Sequence, residues 1–219
     1  MTKLIIQIPC YNEEETLLTT LNDLPDNIKG IDEIEVLVIN DGSNDNSENI
    51  AKNWGATVLN IKPNKGLANA FRSGLRDSLK RGADIIVNTD ADNQYCAADI
   101  EKLVEPIITG EADIVIGARN IEAIKEFSPF KKLCQKFGSA VLRLLSSTNV
   151  KDAPSGFRAF SKHAAINLNV FDNYTYTMET LLQANSKNLK TVSVPIRVNE
   201  KLRDSKLMKN IFDYMFKSM

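Results

Sequence analysis

The sequence predicts an α/β domain with a mostly parallel central sheet flanked by helices, on three observations. Short runs rich in Val and Ile alternate with longer segments of helical spacing through the first half of the chain. Those runs are apolar almost without interruption, as strands covered on both faces are. Each run is followed by polar turn formers, and in parallel sheets ligands sit beyond the carboxyl ends of the strands.

In order, the strands are "KLIIQIP", "IEVLVIN", "ATVLNIK", "ADIIVNT" and "ADIVIGA", with helical segments near residues 13–23, 45–54, 66–81 and 97–108 between them. The turns that follow read "CYNEEE", "DGSND", "PNKG", "DADNQ" and "RN". Asp, Asn, Ser and Gly favour turns and helix caps wherever they occur. Their recurrence at one end of every strand points instead to a shared site.

The second half is patterned differently. Over 130–145, Phe130, Leu133, Cys134, Phe137, Val141, Leu144 and Leu145 form one helical face, with Lys131, Lys132, Lys136 and Arg143 outside it. "SGFRAF" follows, then a helix around 176–187, the strand "KTVSVPIRV", and an amphipathic end, "SKLMKNIFDYMFKSM".

A chain of 219 residues, 43% hydrophobic and 25% charged, suits one domain, here 1–206 with an amphipathic tail at 207–219. The 27 basic and 28 acidic residues nearly cancel, which argues against a nucleic-acid partner. Cys10, Cys96 and Cys134 lack CxxC spacing and are odd in number, favouring a reducing compartment over disulfides or zinc. The N-terminal apolar run is too short for a secretion signal and no run is long enough to cross a bilayer, so the expected location is cytoplasmic.

Asp90 and Asp92, in "NTDADNQY", stand close together where an apolar run ends. A turn that caps the helix after it is one reading. A calcium loop is excluded, because Tyr95 occupies the position that needs glycine and the loop follows a strand. The third reading is Mg²⁺ or Mn²⁺ held by few protein oxygens and completed by substrate phosphates. It explains how two adjacent carboxylates are tolerated.

Taken in order, "IPCYNEEETL", "VINDGSNDNS", "NKGLANAFRSGL", "DADNQY", "GAR", "DAPSGFRAF" and "YTMETLLQANSKNLKTVSVPIRV" resemble successive segments of glycosyltransferase family 2. The likeness covers 3–206 and is greatest to dolichyl-phosphate mannose synthase and related polyprenyl-phosphate glycosyltransferases. It implies the nucleotide-sugar-binding GT-A fold. It also implies base or ribose contacts from Pro9, Tyr11, Glu13 and Asp41, and metal and diphosphate contacts from Asp90, Asp92 and Gln94. Where the family carries Arg-x-x-Gly-x-Ser-Lys, "EKLRDSK" puts Glu200 and Arg203 in the Arg and Gly positions. Lys201 or Arg203 is then the cation left for the diphosphate.

The reaction so implied is transfer of a sugar, with inversion, from a GDP- or UDP-sugar to a polyprenyl phosphate, dependent on Mg²⁺ or Mn²⁺. A phosphate monoester is largely ionised at neutral pH and attacks without a strong base, provided cations position it. Asp92 and Arg119 are the candidate catalytic residues, Arg119 as the acceptor's cation, with Lys131, Lys132 and Lys136 behind it. Arg158 serves equally well as a structural partner. Transfer to a sugar hydroxyl is the alternative and needs a base; Asp152 or Glu179 would supply it, whereas His163 would not. A nucleotide-sugar-binding module without catalysis is a further alternative. A dehydrogenase is disfavoured, because the first turn contains no glycine. The stripes at 130–145 and in the tail (Leu207, Met208, Ile211, Phe212, Met215) suit either a membrane surface, making the protein peripheral, or a second copy in a homodimer.

Overall fold

The computed structural model describes residues 1–120, 150–171, 176–200 and 202. They form a seven-stranded sheet of order β3-β2-β1-β4-β6-β5-β7. The strands are β1 (Lys3–Cys10), β2 (Glu33–Asn40), β3 (Thr57–Asn60), β4 (Ile85–Asn88), β5 (Ile114–Arg119), β6 (Arg158–Ser161) and β7 (Thr191–Ile196). Only β6 is antiparallel to its neighbours, β4 and β5. The remaining pairings are parallel, so the five strands read from sequence all end on one edge.

Between them lie α1 (Leu17–Asn22), α2 (Ser47–Trp54), α3 (Leu67–Lys80), α4 (Ile100–Ile108), α5 (Lys162–Asn167) and α6 (Thr177–Ser186). Strand alternation divides the core in two. Leu4, Ile6, Ile8, Val38 and Val87 pack with Leu17 and Leu21 of α1 and with Leu103 and Val104 of α4. Ile5, Leu37, Ile39 and Ile86 face Phe71 and Leu75 of α3, Ala164 of α5 and Leu181 of α6. Phe71 is fully buried. It stacks on Tyr176 at 3.6 Å and meets Phe160 edge-on at 5.6 Å. Burying such a ring contributes about 1.5–3 kcal/mol.

Close approach of α3 to the sheet depends on Gly74, since a Cβ there would lie 2.6 Å from Gln7 Oε1 and 2.9 Å from Ile39 Cδ1. The helix expected at 13–23 begins only at Leu17, because Glu13–Thr16 form a turn in which Glu13 O accepts from the N–H groups of Thr16 and Leu17. No helix among the described residues is long and apolar enough to cross a membrane. The 130–145 stripe and the 207–219 tail lie outside the described residues, as do Lys131, Lys132, Lys136, Lys201 and Arg203.

Candidate active site

The chain leaves β1 for β2 and β3 on one side, then returns through α3 to β4 on the other. That reversal opens a crevice at the carboxyl ends of β1 and β4, where sheets of this kind bind ligands. Pro9, Tyr11 and Glu13 end or follow β1, Asp41 follows β2, and Asp90, Asp92 and Gln94 follow β4. The topology therefore brings these sequence-predicted residues to one edge.

Pro9 lies beyond the last β1–β4 pair, Gln7 with Asn88. Tyr11 is 43% exposed. Glu13 is buried; its N–H donates to Ser47 Oγ at 2.8 Å, and its carboxylate accepts from Thr16 Oγ1 at 3.2 Å. Much of the polar clustering at this edge holds one loop to another. Asn12 N–H donates to Ser43 Oγ, and Asn44 N–H donates back to Asn12 Oδ1. Glu14 N–H donates to Asp45, and Asn46 N–H donates to Glu14.

Asp41 is held in the same manner. Its two oxygens accept the N–H groups of Lys65 and Gly66 at 2.9 and 2.8 Å, fixing the turn that opens α3. Burial pushes its carboxyl upward, against the pull of those donors. Cys10, at the end of β1, is pushed up to about 12 by burial and stays a thiol.

The turn after β4 is built otherwise. Asp92 Oδ1 accepts Gln94 N–H at 3.1 Å, closing an Asx turn, and Asn93 is left-handed at φ 56°. Neither aspartate caps the helix that follows. Cys96 precedes its 3₁₀ turn and Asp99 precedes α4, both without a side-chain cap bond. Only the turn half of the turn-and-cap reading is realised.

Behind Asp90 lies a buried polar wall that sequence reasoning missed. A Cβ on Gly156 would meet Tyr176 Oη at 3.0 Å and Asp90 Oδ1 at 3.2 Å, so a side chain there would crowd both. Gly156 N–H donates to Tyr95 Oη at 3.1 Å. Asn88 Nδ2 lies 2.9 Å from both Gly156 O and Tyr176 Oη, and Asn88 Oδ1 accepts from Gln7. Burial, with the Asp90 charge next, pushes Tyr95 up to about 12 and Tyr176 well above its ordinary value. Both stay neutral phenols. Tyr95, Gly156 and Tyr176 fall inside segments that resemble the family, but their convergence follows from β6 entering the sheet beside β4.

Arg119 ends β5 with its guanidinium bidentate on Asp152, Nε to Oδ2 at 2.7 Å and Nη2 to Oδ1 at 3.0 Å. Its side chain is 9% exposed and that of Asp152 is 0% exposed. Burial pulls the guanidinium down, but the carboxylates of Asp152 and Asp90 outweigh it and hold it protonated. Arg119 thus compensates Asp152 and part of the Asp90 charge. Arg158 is fully buried and donates to the carbonyls of Ser155, Thr177 and Ala153 and to Thr180 Oγ1, a structural role. Of the other candidate bases, Glu179 accepts Phe171 N–H at 3.0 Å. His163 faces Asp113, away from the crevice.

Among the described residues, no three His, Cys, Asp or Glu side chains form a metal-binding group. Two carboxylates and one amide from a single turn fit a hard cation that takes its remaining oxygens from substrate.

The sequence profile described as Glycosyl transferase family 2 matches residues 5–168. UDP-N-acetylglucosamine–dolichyl-phosphate N-acetylglucosaminyltransferase of Methanococcus voltae is 34% identical over 213 residues, 87% of this chain and 83% of that protein. Undecaprenyl-phosphate mannosyltransferase of Micrococcus luteus is 32% identical over 212 residues, 91% of this chain and 85% of that one. The solved structure of glucosyl-3-phosphoglycerate synthase from Mycobacterium tuberculosis, in complex with Mn²⁺, UDP-glucose and phosphoglyceric acid, aligns with a TM-score of 0.76 at 21% identity. It covers 99% of this chain and 76% of its own, which establishes the GT-A architecture of the sheet. On the profile match and the length of these alignments, the chain belongs to glycosyl transferase family 2.

Proposed function

We propose that this glycosyltransferase moves a sugar from a nucleoside-diphosphate sugar to a polyprenyl phosphate. One observation carries the acceptor: two relatives aligned over most of their length are named for different sugars, N-acetylglucosamine and mannose, yet both names specify a polyprenyl-type phosphate. The acceptor class is what they share.

The crevice supports the donor side. Tyr11 is exposed at its mouth for the base, and Pro9, Glu13 and Asp41 shape the wall. Asp90, Asp92 and Gln94 would hold Mg²⁺ or Mn²⁺. When bound, the cation neutralises charge growing on the departing diphosphate. An acceptor phosphate oxygen forms the new bond to the anomeric carbon from the face opposite the diphosphate, whose bond to that carbon breaks, so configuration inverts. An ionised phosphate has no proton to lose in that step, which agrees with the Arg119–Asp152 pair leaving Asp152 no part as a base. Arg119 contributes positive potential behind Asp90, and Lys131, Lys132, Lys136, Lys201 and Arg203 are the further cations for the acceptor or diphosphate. The acceptor's lipid places the protein at a membrane surface, with the tail stripe as its contact.

The test offers purified protein UDP- and GDP-sugars, Mn²⁺ or Mg²⁺, and polyprenyl phosphate in detergent. Sugar label should enter the lipid-extractable fraction and vanish with chelator. Label entering only free sugar or a saccharide hydroxyl would overturn the lipid-phosphate reading.

A further inference from the structure

The turn that carries Asp90 and Asp92 belongs to no strand, and its carbonyls need partners from elsewhere. On one side α1 and the residues that flank it hold the turn. The hydroxyls of Thr16 and Thr20 lie 2.9 and 3.0 Å from Ala91 O, and Asn93 Nδ2 donates to Asp23 at 2.9 Å. On the other side the partner is one residue, Asn199. Its N–H donates to Gln94 O at 2.9 Å, and its Nδ2 lies 3.0 Å from Asn93 O and 3.4 Å from Tyr95 O.

Three consecutive carbonyls, of Asn93, Gln94 and Tyr95, thus converge on a single side chain and its own amide. The strap that brings Asn199 there is short. It comprises the isolated bridge between Tyr95 and Val198, the Cys96 N–H bond to Arg197 O at 3.3 Å, and the Arg197 guanidinium on buried Asp99. Left-handed Asn93 sits between Asp92 and Gln94, so any relaxation of its backbone changes where both side chains point.

We propose that Asn199 is a positioning residue for the cation turn. Its amide fixes the backbone of residues 93–95 and with it the angle between the Asp92 carboxylate and the Gln94 amide. The inference rests on the metal reading of Asp90 and Asp92. Asn199 itself touches neither cation nor substrate; it acts through the turn.

The experiment measures Mn²⁺ binding by electron paramagnetic resonance in the presence of UDP or GDP, for wild type, Asn199→Ala, Asn199→Ser and Val198→Ala. Unfolding midpoints are recorded beside it. Asn199→Ala should weaken Mn²⁺ about tenfold. Asn199→Ser, which keeps one short donor, should fall between it and wild type. Val198→Ala, which trims the same strap without touching the carbonyl bonds, should bind as wild type does. In transfer assays the Mn²⁺ concentration for half-activity should rise in step, with kcat at saturating Mn²⁺ largely restored. Equal affinity in wild type and folded Asn199 variants would overturn the positioning role, as would equal weakening by Val198→Ala. If Asn199→Ala does not fold, the Ser variant decides by the same criterion. Wild type that binds no Mn²⁺ with either nucleotide would overturn the metal reading, and this inference with it.

Discussion

Asp41 and Asp90 stand just beyond the ends of β2 and β4, the two strands that flank β1. Each follows an apolar run, and each lies at the same edge of the sheet. Asp41 has both oxygens committed to the N–H groups of Lys65 and Gly66. Asp90 instead lies beside Gly156 and near the neutral phenols of Tyr95 and Tyr176, and its neighbour Asp92 accepts Gln94 N–H with one oxygen. The difference teaches that the backbone around a carboxylate decides its use. Where amide N–H groups converge on it, it holds a turn. At Asp90 and Asp92 the use we propose is to hold a cation.

The sharpest way to break this comparison is to neutralise both kinds of aspartate and read activity against stability. Asp92→Asn should lower transfer by about a thousandfold, roughly 4 kcal/mol of transition-state stabilisation, and leave the unfolding midpoint nearly unchanged. Asp90→Asn should weaken Mn²⁺ and nucleotide together. Full activity of both variants at limiting Mn²⁺ would remove the distinction.

Asp41→Ala should behave in the opposite sense. It frees two backbone donors at the start of α3, and stability should fall by about 1–3 kcal/mol in urea unfolding. Loss of nucleotide affinity with no loss of stability would instead put Asp41 in the ligand's shell.

A smaller effect comes from a third aspartate, which sharpens the rule on the strap side. Burial pushes Asp99 up, but Arg197 and Lys102 outweigh it and hold its carboxyl at about 2, against an ordinary 3.8. A folded value below the unfolded one means that this contribution is complete above about pH 4 and is lost as pH falls through about 2. It amounts to something on the order of 2 kcal/mol at pH 7. The stability gap between wild type and Asp99→Asn should therefore narrow on acidification from pH 5 to pH 2. A gap constant across that range would mean that the Arg197 pair adds nothing beyond a neutral amide.

Much of the site was legible because strand ends are legible. Uninterrupted Val and Ile runs located β1, β2, β4 and β5, and parallel topology then required Pro9, Asp41, Asp90 and Arg119 to share an edge. The sequence could not tell Asp41 from Asp90, because the donors that separate them, Lys65 and Gly66, arrive from a later turn. Nor could it reveal that Arg119 meets Asp152, 33 residues on. Asn199 carries no motif of its own. Its use depends on where β7 delivers the chain, which is a matter of sheet order rather than local pattern.

Trp54, the single tryptophan of the chain, sits at the last position of α2, and its indole N–H donates to Asn22 Oδ1 at 3.0 Å. Helix α2 leads away from the crevice edge, so the indole is roughly 10 Å along the helix axis from its first turn. Its emission should therefore report the integrity of the α1–α2 layer and remain nearly silent to nucleotide. The paramagnetic signal of Mn²⁺ held at the proposed site would report the other side of β1. Recording both through one denaturant titration asks whether the α1–α2 layer and the turn after β4 melt as a single cooperative unit.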